Sequence, residues 1–93
     1  MYAYVAEFLG TFLLVATIAF IGNAWAIGLA LTIGILAVGA VSGGHFNPAV
    51  SAWAWMSGTL SGPNLAVYVA SQVAAAATVA GLKRMMAVNT PTM

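Results

Sequence analysis

Three long apolar runs, separated by short polar interruptions, set the pattern of this chain. Ala3 to Ile21, Ala24 to Val41 and Leu65 to Leu82 are each long enough, at ~1.5 Å per residue, to cross most of a ~30 Å hydrocarbon core. Gly22-Asn23 is the turn between the first two, and Trp25 follows at interface depth. Between the second and third runs the pattern changes to Ser42-Gly43-Gly44-His45-Phe46-Asn47-Pro48-Ala49-Val50-Ser51. Its two glycines let the backbone run extended and close to its neighbours. Asn47-Pro48 then reads as a helix start, with Asn capping the first turn and Pro at the first helical position. Gly58 stops that helix near residue 57, so it reaches only about half-way through a bilayer. A loop that enters and a short helix that climbs out predict a re-entrant element over 42–57, with Asn47 in a pore. Thr59 to Asn64 is a polar connector, and the tail 85–93, beyond Lys83-Arg84, is expected to be disordered. The reading is one all-α transmembrane domain over 1–93, with three full crossings and one re-entrant half-helix.

Composition narrows this to an integral, multi-pass membrane protein. Of 93 residues, 63% are hydrophobic and 3% charged, against about a quarter charged in soluble domains. No Asp, Glu, Lys or Arg stands between Phe8 and Leu82. A net charge of +1 offers nothing to nucleic acid, and a chain without Cys has no disulfide framework or thiolate chemistry. The N-terminus lacks the basic segment and cleavage site of a signal peptide, so the first run is expected to be a mature transmembrane helix.

Glu7 stands out. On a helix it shares a stripe with Gly10, Thr11 and Leu14, beside small residues that let another helix approach. An acid at that depth must face protein or water. It is read as a buried acceptor tying down loop amides, with a proton relay to His45 as the sharper alternative. His45 itself either lines the pore or is a satisfied loop histidine. A lone His with no Cys or acid nearby is no metal site, and no cofactor is implied. Trp53 and Trp55 read as packing or interface anchors. The third run, with Ala74 to Ala77 and Gly81, is thin on one face and carries Gln72 inside it.

Three stretches together resemble the first half of an aquaporin, of the major intrinsic protein family. They are Ala6-Glu7-Phe8-Leu9-Gly10-Thr11-Phe12, Ser42-Gly43-Gly44-His45-Phe46-Asn47-Pro48-Ala49-Val50, and Gln72. The loop motif is highly specific, where a bare Asn-Pro-Ala would be weak. The resemblance implies that Asn47 of the Asn47-Pro48-Ala49 turn donates to permeating water. It implies too that the carbonyls of Gly43, Gly44, His45 and Phe46 form an acceptor ladder, and that Glu7 and Gln72 brace the loop. One small departure is Ala75, where the family usually has Gly. The larger one is that aquaporins hold two inverted halves in one chain, and this sequence carries one.

That departure has a physical consequence. Three crossings put the termini on opposite faces, and one half-helix leaves amides at mid-depth that hydrocarbon cannot satisfy. A second half-helix from the other side closes the gap, as inverted repeats do. The expectation is an antiparallel homodimer with dual topology. Only Lys83 and Arg84 bias its orientation, both at one end. Two helix N-termini meeting at the midplane repel cations and hydronium. By resemblance to a family whose pores gather in fours, four dimers would make an octamer. No chemistry is catalysed; the function is passive passage of water and small uncharged solutes.

The resemblance also locates a constriction. In the family's second half the residue three after the Asn is usually Arg; here it is Val50, and the other ring positions fall on Ile27, Ile35 and Gly44. That ring is apolar, uncharged and wide, so glycerol, urea or ammonia would pass beside water. The alternatives are a dual-topology alternating-access transporter working through Glu7, and a non-conducting subunit of a full-length channel.

Overall fold

The structure is a computed structural model and describes residues 1–86, which fold as four helices and the loop between the second and third. The first helix, α1, spans Ala3–Phe20 and the second, α2, spans Ala24–Ser42. The short α3 covers Pro48–Met56 and the long α4 Gly62–Met86. At 18, 19 and 25 residues, α1, α2 and α4 are each long and apolar enough to cross a membrane. The chain is therefore an all-α integral membrane protein with three candidate spans. The nine residues of α3 rise only ~14 Å.

Local sequence sets the ends. Asn23 caps α2 by accepting from the amides of Trp25 and Ala26. Asn47 caps α3 by accepting from Ala49 N, with Pro48 at the first helical position. At the other end of α3, Gly58 turns left-handed at φ +83°. Gly58 N then donates to Trp55 O and Thr59 N to Ala54 O, a Schellman closure of the helix.

The third span departs from its expected limits of 65–82. Ser61 acts as the cap, its Oγ accepting from Asn64 N, so Gly62 and Pro63 form the first turn instead of a connector. At the far end Met85 and Met86, expected in the tail, are helical. The rest of that expected tail, 87–93, lies outside the described residues.

The packing is inside-out. On α1 the buried positions are Ala6, Glu7, Gly10, Thr11 and Thr17, while Leu9, Leu13 and Ile18 face outward. In hydrocarbon, apolar bulk gains nothing by hiding, and small or polar residues take the helix contacts. Helices α1 and α4 run side by side in the same direction. Glu7 and Gln72 meet towards one end, and Lys83 Nζ donates to Ala19 O towards the other. That lysine meets the unsatisfied, partly negative C-terminus of α1.

Gly10, expected to admit a neighbouring helix, serves a different end together with Gly34. Both border the ring of Phe46, which is 2% exposed and wedged between α1 and α2. Gly34 lies eight residues before the end of α2, so the loop has travelled back about 12 Å along the helix it left. By contrast, Gly28 and Gly81 have open space beside them.

Candidate functional site

All four amides of the loop 43–46 are hydrogen-bonded. Gly43 N donates to Gly39 O, and Gly44 N to Ser42 Oγ. His45 N donates to Glu7 Oε2 at 3.1 Å and Phe46 N to Glu7 Oε1 at 2.8 Å. The carbonyls of these same four residues accept no hydrogen bond from the described residues. Gly43, Gly44 and Phe46 all have positive φ, at +90°, +64° and +54°. Left-handed backbone suits glycine, and costs a residue such as Phe46 of order 1–2 kcal/mol. The anchored ring and amide of Phe46 hold that conformation in place. Its side chain faces the helices, and its carbonyl has no partner among the described residues.

Glu7 is the hub beneath the loop and is 0% exposed. Besides the two loop amides it accepts from Ser42 Oγ at 2.7 Å and Gln72 Nε2 at 2.9 Å. A buried acid surrounded by donors on α2, the loop and α4 acts purely as an acceptor. Gln72 donates also to Ser51 Oγ at 2.9 Å, and Ser51 Oγ lies 2.9 Å from His45 Nδ1. Tyr68 completes the set, its OH donating to Ser42 O while its ring tilts against His45 at 5.1 Å between centroids.

Asn47 is exposed, and its Oδ1 is occupied by Ala49 N. The cap thus aims the other half of the amide, the Nδ2 donor, away from the helix. Beside it stand the free carbonyls and the accessible edge of His45. Asn47 and Gly43 are exposed and His45 partly so, while Gly44 and Phe46 are buried.

The remaining predicted residues spread over more than one level. Ile35 and Val50 are exposed, whereas Gly44 is buried with Ile35 against it, where an added Cβ would meet Ile35 Cγ1 at 3.1 Å. Ile27 sits eight residues, ~12 Å, further along α2. Within one chain these four do not form a ring. Trp53 and Trp55 are exposed on α3. Ser42, Ser51 and Tyr68 are site residues that sequence reasoning missed. Ser42 and Ser51 sit inside the motif, but a serine in a helix ordinarily bonds its own backbone, and nothing local signals a cross-helix partner.

A family model described as "Major intrinsic protein" matches residues 16–92. The chain is 40% identical to an Aquaporin Z of Photorhabdus laumondii, over 73% of this chain and 36% of that protein. It is 40% identical to the glycerol uptake facilitator protein-like 6 of Lactiplantibacillus plantarum, over 78% and 38% respectively. It is 38% identical to the Aquaglyceroporin AqpS of Rhizobium meliloti, over 88% and 42%. The chain thus spans about two fifths of the length of the curated relatives it matches. No solved structure matches it.

Proposed function

Since the chain belongs to the major intrinsic protein family, we propose that it is half of a passive channel for water and small uncharged solutes. The observation that carries this reading is the one-sided loop. Four amides are bonded inward while four successive carbonyls have no partner among the described residues. In hydrocarbon each such carbonyl would cost several kcal/mol, whereas a file of passing water satisfies them in turn. Asn47 Nδ2 adds a donor at the inner end of that row. In this reading Glu7 and Gln72 brace the loop, α3 is a re-entrant half-helix, and Asn47 stands near the midplane.

The second wall would come from an inverted copy. Its α3 would meet the first end to end, so that the two partly positive helix N-termini, with no Arg at Val50, carry the exclusion of cations and protons. Inversion also gives the four constriction residues a way to assemble. The partner's Ile27, near one end of its α2, comes to the half of the bilayer that holds this copy's Ile35, Gly44 and Val50. Four such dimers would form the octamer. A transporter working through Glu7 has less support, because that acid is wholly buried and its side-chain link to the His45 ring runs through the Gln72 amide, which does not titrate.

Two expected outcomes test this. Reporter tags at the C-terminus should be found on both faces of the membrane; a strictly one-sided signal removes the antiparallel pore and leaves the non-conducting subunit. In proteoliposomes the wild type should pass water and glycerol, and Asn47→Asp should slow water several-fold and admit cations. Asp still caps a helix, so the change isolates the lost donor and the added charge. Unchanged permeability would reduce Asn47 to a cap.

A further inference from the structure

The buried chain of contacts behind the loop fixes more than the loop's position. Ser51 is 0% exposed, and its Oγ touches two partners, Gln72 Nε2 and His45 Nδ1, each at 2.9 Å. The Gln72 amide has no freedom in this. Its NH2 end faces the Glu7 carboxylate at 2.9 Å, where only a donor is tolerated, and the same nitrogen gives its second hydrogen to Ser51. Ser51 Oγ is therefore already an acceptor, and its own hydrogen must find a home. Among the described residues the only acceptor within reach is His45 Nδ1. Were Nδ1 protonated, Ser51 would accept twice and leave a buried O–H unpaired, the outcome that folded interiors avoid.

We infer that Ser51 is a positioning residue that holds His45 as the Nε2–H tautomer and points that N–H at permeating solute. The other edge of the ring supports this. His45 Nε2 makes no hydrogen bond within the described residues and is not enclosed. It lies over Gly43, where an added Cβ would come within 3.1 Å of it, so the glycine keeps that edge open. The ring cannot swing freely, because Tyr68 packs against it. His45 thereby becomes a fixed donor beside a row of acceptors. A solute with both functions, such as water or a polyol, is matched there in one orientation. The assignment of a donor to solute rests on the pore reading; the tautomer does not.

His45 is the only histidine, so nitrogen NMR of histidine-labelled protein in mildly alkaline buffer reads it without assignment. The wild type should show a bare Nδ1 and a protonated Nε2. Ser51→Ala should give a mixture of tautomers, and Ser51→Thr should restore the single form. In proteoliposomes Ser51→Ala should lower water permeability about threefold, the scale of one weakened hydrogen bond, again with recovery in Ser51→Thr. A wild-type spectrum with Nδ1–H, which needs no variant to fold, overturns the inference. So does a Ser51→Ala spectrum unchanged from wild type. A wild type with the assigned tautomer but no flux above empty liposomes sinks the pore reading, and with it the solute contact, while leaving the tautomer assignment in place.

Discussion

Gly10→Ala should be the most damaging single methyl group that can be added to this chain. A Cβ there would overlap one edge of the Phe46 ring, at Cδ1, Cε1 and Cζ. An aromatic ring at the end of a flexible side chain could ordinarily yield, but this one is held on three sides. Its far edge already lies 3.0 Å from where a Cβ at Gly34 would be. Its backbone is left-handed, and its amide is tied to Glu7. To admit the methyl, α1 must move away or the loop must come out. Overpacking of a filled core costs about 1–3 kcal/mol, occasionally more, and the upper end is expected here, read as a lowered unfolding midpoint in detergent. Flux should fall with it, because the loop that moves is the one bearing the free carbonyls. Gly34→Ala should be milder. Phe46→Leu combined with Gly10→Ala should recover part of the loss, since neighbouring residues couple. A Gly10→Ala protein with wild-type stability would show that the ring has another place to go.

Glu7→Gln comes next, and its effect follows from counting donors. The amide that replaces the carboxylate has one oxygen in place of two, for four donors. Its best orientation turns the new NH2 towards Ser42, whose hydroxyl can rotate to accept. Even so, His45 N loses its acceptor, and each buried donor left unpaired costs about 1–3 kcal/mol. A loss of about 2–3 kcal/mol of stability and of assembled protein is expected. Glu7→Leu should be worse, since it strands all four donors. This ordering is the discriminating result. If the main cost at this site were the burial of a charge, an apolar replacement would relieve it, and Glu7→Leu would be as stable as the wild type or more so. Unfolding of both variants in detergent separates the two accounts.

Much of this was legible in the sequence, for reasons that also mark where legibility ends. The three spans follow from unbroken apolar runs, and the start of α3 from Asn47-Pro48, whose cap is local chemistry. Glu7 drew attention because an acid in hydrocarbon needs a reason. The misreadings have one character. Gly-Pro at 62–63 looked like a break, when Ser61 ahead of it makes it a helix start. Gly10 looked like part of a seam for a second helix, when with Gly34 it makes room for an aromatic ring from a loop. Ser51 closed the motif without a role of its own. In each case the deciding partner lies far along the chain or depends on a side-chain direction, and neither hydropathy nor spacing carries that.

The hydrogen bond between Glu7 and Gln72 joins residues 65 positions apart. During synthesis the acid is made with the first helix, yet its last donor emerges with the last. Until α4 packs beside α1, the carboxylate lacks one of its four donors and Ser51 lacks the bond from Gln72. Contacts so distant in sequence form after local ones, so the bond to Gln72 is expected to follow the loop's own amide contacts with Glu7. Order of synthesis thus leaves the Gln72 side of the brace for last, after the loop amides have met their acceptors on α1 and α2.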